Sequence, residues 1–154
     1  MDISKTRMSR HVAKMEREIQ EIFLDHTKWL KSNGGEGIQA DLCEANLNGL
    51  DLSELNLSAA LFSYSLLKDA DMTGSNFLMA DFCFADLRGA KMKGADLRGA
   101  KLQRANLGHA NLAGARFDGV NIGQGGGGLW PANLEFAKLR GANLGSGLIN
   151  SDRR

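Results

Sequence analysis

From residue 42 a large apolar residue returns at every fifth position: Leu42, Leu47, Leu52, Leu57, Phe62, Leu67, Met72, Phe77, Phe82, Leu87, Met92, Leu97, Leu102, Leu107, Leu112, Phe117 and Ile122. A small residue, usually alanine, stands two places before each of them. A beat of five matches neither the 3.6-residue helical period nor the two-residue strand period. Such a chain turns inward at one large and one small residue in every five. Asp or Asn lies between the two, and Gly often closes the unit. These polar and glycine positions suit tight turns, since Asx side chains bond nearby backbone and glycine tolerates positive φ. Each unit therefore reads as a quarter-turn.

The units "ADLRG", "ANLGH" and "ANLAG" resemble the pentapeptide-repeat family, whose pattern is A-(D/N)-L-x-x. The resemblance covers residues 40–122 and again 132–151. It implies an all-β solenoid, a right-handed quadrilateral β-helix with four repeats per coil. A twenty-residue coil places Phe62 over Leu42 and under Phe82, and Tyr64 under Phe84. About five coils follow, stacked at about 4.8 Å into a rod about 24 Å long with a filled interior.

The beat breaks at "GQGGGGLWP" and resumes with Leu134, Leu139, Leu144 and Ile149. Twelve residues separate Ile122 from Leu134 where ten would keep register. This reads as a Gly-rich loop at 123–131 bulging from one corner, or as a finger that presents Trp130 to a partner. A phosphate-binding loop is a poor third, because no strand-to-helix context with Lys and Ser/Thr follows.

Residues 1–34 read as a separate N-terminal amphipathic α-helix for capping and association, ahead of a β-helix at 35–151. Met8, Val12, Met15, Ile19, Ile22, His26 and Trp29 step by three and four along one seam, and "SNGG" supplies the stop. Phe23, Trp29 and Leu30 are expected to cover the first coil, where Leu50 and Leu55 replace the usual small inner residue. A helix of about 28 residues extends about 42 Å, longer than such a cap requires. Its first half is expected to project or to pair with another chain. After Ile149 only "NSDRR" follows, so the last coil is expected to meet a partner or a second copy, or to continue in a longer protein.

Composition removes most chemistry from this picture. The 154 residues carry a formal charge of +1, which fits one soluble domain and gives no whole-chain argument for direct nucleic-acid binding. No apolar run approaches a bilayer span and no signal-peptide core is visible, so a cytoplasmic location is expected and a membrane is not. The three histidines lie far from any cysteine or carboxylate pair at metal-ligand spacing, and no metal or cofactor is expected. Cys43 and Cys83 fall two coils apart, about 10 Å, too far for a disulfide, and no base recurs beside them. The ranked Asp residues are turn devices, and no catalytic residue is assigned.

Recognition remains. Leu61, Tyr64, Leu66, Leu78, Met79 and Phe84 point outward by the repeat rule and cluster in the second and third coils, as an interface would. Charge is sorted along the rod. Residues 41–71 hold six acidic side chains against Lys68, and residues 88–104 hold six basic ones against Asp96. Some members of the family mimic duplex DNA and bind DNA gyrase, but the short rod, the basic middle and the N-terminal helix depart from that pattern.

The sequence thus reads as a noncatalytic bacterial interaction or scaffold module whose partner is a protein. Met8, Val12, Met15, the six outward residues and Trp130 are the candidate interface. The alternatives are a DNA-mimic regulator of gyrase or another topoisomerase, and a tether at a membrane surface through Lys5, Arg7, Arg10, Lys14 and Arg17. Light scattering of the chain with and without residues 1–17 tests the projecting helix: the longer chain should form the larger species, and equal masses would exclude association through it.

Overall fold

The computed structural model describes residues 18–119 and 132–145. The chain divides into two compact units, Met1–Ala40 and Asp41–Arg154.

In the first unit, residues 18–31 form helix α1. Along its seam Ile19, Ile22 and Trp29 are half-buried and His26 is fully buried. The seam positions Met8, Val12 and Met15 lie outside the described residues. The helix ends in a Schellman turn. Gly34 N–H donates to Trp29 C=O at 2.8 Å, Asn33 N–H donates to Leu30 C=O at 3.4 Å, and Asn33 takes the left-handed conformation at φ 54°. The chain then doubles back at Gly37, where a Cβ would collide with the Asp25 carbonyl and the Trp29 nitrogen. Ala40 N–H donates to His26 Nδ1 at 3.0 Å, and the imidazole stacks on Trp29 with centroids 5.6 Å apart. An acceptor on that ring accounts for a histidine at an otherwise apolar position.

The second unit is a parallel β-helix with a twenty-residue coil. Asp41 pairs with Leu61, Leu61 with Asp81 and Asp81 with Lys101, and three further columns repeat this spacing. Each side contributes one bridge rather than a long strand. The beat residue donates to the next coil, as Leu42 N–H does to Leu61 C=O at 2.8 Å. The residue before the beat donates to the previous coil, as Leu66 N–H does to Ala45 C=O at 2.9 Å. Corners close when the small residue donates to the preceding beat, as Ala45 does to Leu42 at 3.2 Å. The Asp or Asn between them accepts the N–H two residues on, as Asp81 Oδ1 does from Cys83 at 2.9 Å. Backbone groups that a side of one bridge would leave open are thereby paired.

Inside, like positions stack into columns. Leu42, Phe62, Phe82 and Leu102 form one, Leu52, Met72, Met92 and Leu112 another, each residue at most 3% exposed. Phe62 stacks on Phe82 at 4.7 Å, and Phe77 meets both rings edge-on at 5.9 and 5.2 Å. The small columns hold alanine except at Leu50 and Leu55 in the first coil and where Ser65 and Ser75 intrude. Ser65 Oγ donates to Phe62 C=O at 2.7 Å, duplicating that residue's own backbone bond. Ser75 acts between coils. Its Oγ donates to Leu52 C=O at 2.5 Å and accepts from Leu55 N–H at 3.0 Å, bridging a corner that other coils close directly, as Leu50 N–H does to Leu47 C=O.

The register changes once. Lys101 pairs with Asn133, Asn106 with Lys138 and Asn111 with Asn143, a spacing of thirty-two. Ala132 N–H donates to Phe117 C=O at 3.2 Å, so residue 132 occupies the place that residue 120 would take in an unbroken count. Counting beats puts Ile122 over Leu102, whereas the pairing puts Leu134 there. The pairing returns alanine, Ala132, to the small column above buried Ala100, where the beat count would place the branched Val120. The interruption in the register is thus twelve residues long, 120–131, rather than a two-residue bulge. Trp130 and the glycine run fall within it, outside the described residues.

Ser75→Ala leaves the Leu52 carbonyl and the Leu55 amide without their bridge and should destabilise the fold by about 1–3 kcal/mol. Ser65→Ala, which removes a duplicated bond, should cost well under that. Denaturant melts of the two variants check the contrast, and equal losses would overturn it.

Candidate interaction edge

The residue two places after each beat sits at a corner and adopts positive φ. Glycine recurs at this place at three of the four corners, as Gly49, Gly89 and Gly141, as Gly74, Gly94 and Gly114, and as Gly99, interspersed with Asp69 and His109, with Glu54, and with Ala59 and Met79. The fourth corner has no glycine. It carries Glu44, Tyr64, Phe84, Arg104 and Phe136, at φ 60°, 61°, 61°, 59° and 58°. The left-handed region costs an L-residue roughly 1–2 kcal/mol, and bulky residues there are uncommon. Five in register mark a place where side chains are kept against backbone preference.

Their backbones are locked coil to coil. Glu44 N–H donates to Ser63 C=O, Tyr64 to Cys83, Phe84 to Gln103 and Arg104 to Glu135, at 2.9 to 3.0 Å. The Tyr64 and Phe84 rings stack at 4.7 Å and 3°. The Arg104 guanidinium lies 5.8 Å from the Phe84 centroid and 5.1 Å from that of Phe136, within cation–π reach of both. Tyr64 is 56% exposed, Phe84 45% and Phe136 69%. The ladder presents ring edges and one cation to solvent.

Of the other outward residues, Leu66 is exposed beside this corner, and Leu61 is half-buried on the adjoining side between Asp41 and Asp81. Leu78 and Met79 are half-buried at the neighbouring corner, where Met79 also takes positive φ, 59°. Met8, Val12, Met15 and Trp130 lie outside the described residues. The structure thus brings Leu61, Tyr64, Leu66 and Phe84 to one corner and its flank. It adds Arg104 and Phe136, which the search for outward apolar residues passed over: one is charged, and the other lies beyond the register break. The signal available for both was a non-glycine residue two places after the beat.

Away from this corner, four of the basic side chains of the β-helix, Arg88, Arg98, Lys101 and Arg116, lie within 4.0 Å of a carboxylate. Arg88 Nη2 meets Asp86 Oδ2 at 2.5 Å and Arg98 Nη2 meets Asp96 Oδ2 at 2.7 Å, bonds that hold both carboxyls below their usual range. Lys101 Nζ lies 3.9 Å from Asp81. Arg104 has no carboxylate partner among the described residues. Nor do these residues contain a cluster of three His, Cys, Asp or Glu able to hold a metal ion, or a helix long and apolar enough to cross a membrane.

Beside the ladder, Cys83 Sγ donates to Gln103 Oε1 at 3.2 Å. Burial and the adjacent Asp81 push its thiol up to about 11. A raised pKa keeps the proton on sulfur, so at pH 8 only about one molecule in a thousand carries the reactive thiolate. Cys83 should react with an aromatic disulfide about a hundredfold more slowly in the folded protein than in denaturant. Its rate should climb about tenfold per pH unit towards pH 11. Stopped-flow thiol titration of the Cys43→Ser variant checks this, and a plateau near pH 9 would refute it.

The pentapeptide-repeat family model matches residues 38–63, 51–89, 65–104 and 100–122, more than half of the chain. No curated protein sequence matches. Among solved structures, a pentapeptide repeat protein from Nostoc PCC 7120 is 30% identical, with a TM-score of 0.53, over 68% of this chain and 84% of its own. A pentapeptide repeat protein from the Arabidopsis thaliana thylakoid lumen is 26% identical, with a TM-score of 0.50, over 70% of this chain. The match spans 63% of that protein's length, under two thirds. A trypsin-treated form of QnrB1, a plasmid-mediated fluoroquinolone resistance protein, is 20% identical with a TM-score of 0.31. The stacked coils, the small-polar-large triplets, the family-model match and the Nostoc structure agree: the chain belongs to the pentapeptide-repeat family.

Proposed function

We propose that this chain is a noncatalytic protein-association module: a rod of about five coils that displays a binding edge. The observation that carries this reading is the Glu44–Tyr64–Phe84–Arg104–Phe136 corner, where five non-glycine residues hold the left-handed conformation and expose aromatic edges. Aromatic residues and arginine are enriched at the centres of protein interfaces, where rigid rings bury area at little entropic cost. An arginine between two rings is already oriented, and its guanidinium edge is free to meet a carboxylate. The rest of the surface offers little competition. Gly, Ser and charged side chains cover most of it, and Asp51, Asp71, Asp86 and Asp96 are engaged with backbone two residues on.

Affinity capture with the purified chain checks the assignment. Tyr64→Ser and Phe84→Ser should each remove the captured protein while leaving the circular-dichroism melt within a few degrees of wild type. Capture that survives both substitutions together would refute the corner as the binding edge.

A further inference from the structure

We propose that the partner seated on this edge is a second copy of the chain, lying antiparallel about a two-fold axis between the coils of Tyr64 and Phe84. This rests on the corner being a binding edge and names its occupant. The order of side chains along the corner carries the argument. Read from one end it runs Glu44, Tyr64, Phe84, Arg104 and Phe136, and an axis between Tyr64 and Phe84 pairs the first four and leaves Phe136 beyond them. Inverted about that axis, the same column sets Glu44 against the partner's Arg104 and Tyr64 against the partner's Phe84, and the two remaining contacts repeat by symmetry. A two-fold interface is self-complementary in this way, each residue meeting the residue that meets it.

The flanking side agrees. In the column before the beats, Asp41, Leu61, Asp81 and Lys101 are stacked in register. The same axis brings Asp41 opposite the partner's Lys101. Both are exposed, as are Glu44 and Arg104. A parallel arrangement would instead set Glu44 on Glu44 and Arg104 on Arg104, and opposed like charges disfavour it. The separation of acidic residues at 41–71 from basic residues at 88–104 thus has a use that solubility alone does not require. It makes one face of the rod complementary to its own inverse. The apolar centre of the contact, Tyr64 and Phe84 with Leu66 beside them, sits between the two charged ends, as in an interface with an apolar middle and a polar rim.

The charges provide a test that a purely structural role would fail. Glu44 and Arg104 are three coils apart, about 14 Å, and cannot pair within one chain. Sedimentation equilibrium of the full chain should show a dimer whose dissociation constant rises with salt. Glu44→Arg and Arg104→Glu should each weaken it about tenfold, since each places like charges at both symmetric ends. The combined variant, with the charges exchanged, should restore wild-type dimerisation.

A combined variant weaker than either single one would overturn the antiparallel pairing. So would a wild-type chain that stays monomeric at the highest concentration it tolerates. If the chain is monomeric while Tyr64→Ser and Phe84→Ser still abolish capture of another protein, the edge stands as a binding site and only the second copy is excluded. If those substitutions have no effect on capture either, both readings fall.

Discussion

The repeat distance between coils governs this molecule. Parallel backbones bonded side by side lie about 4.8 Å apart, and that spacing sets which side chains can touch. Because the coil closes in twenty residues, every position meets its own kind above and below. Alanine stacks on alanine, Phe62 on Phe82 inside and Tyr64 on Phe84 outside, both at 4.7 Å between ring centres. The ring separation equals the backbone separation because the backbone imposes it. Stacked rings prefer an offset arrangement and gain modestly from one another, so the ladder is a consequence of the coil rather than its cause.

The same constraint makes each column a local account of stability. A large residue in a small slot must be accommodated within one coil, which Ser75 does by joining Leu55 N–H to Leu52 C=O. The four corners show the opposite choice. Three mix glycine with side chains such as Asp69 and Met79 in the left-handed region, while one holds side chains there in all five coils. A rod of otherwise uniform sides thus acquires one edge with direction and charge order.

Much of this was legible in the sequence. The five-residue beat marks the inward columns because burial at 0–3% leaves little freedom in residue type. Tyr64 and Phe84 were legible because large apolar residues at outward positions break the pattern. Arg104 and Phe136 were not. A charged residue on a surface breaks no apolar rule, and a non-glycine residue two places after the beat, which recurs at every corner, becomes telling for Arg104 only beside its observed φ of 59°. The register break was misplaced because Val120-Asn121-Ile122 satisfies the local pattern almost as well as Ala132-Asn133-Leu134. The pairing of Lys101 with Asn133 discriminates between them, and it is a property of the stacked coils rather than of the five-residue unit. Residues 1–17 carry no repeat, so no stacking rule constrains them.

The corner at Phe117 shows what this modular arrangement permits. Its carbonyl is closed by Ala132 just as neighbouring corners are closed by a residue three places on, and the coils on either side keep their pairing. The chain therefore leaves and re-enters within the width of one turn, and the solenoid does not register how much sequence intervenes. The entropy of closing such an excursion grows only logarithmically with its length. The corner is a socket: a place where a binding loop, a regulatory segment or an entire folded domain could be housed without altering any layer of the core.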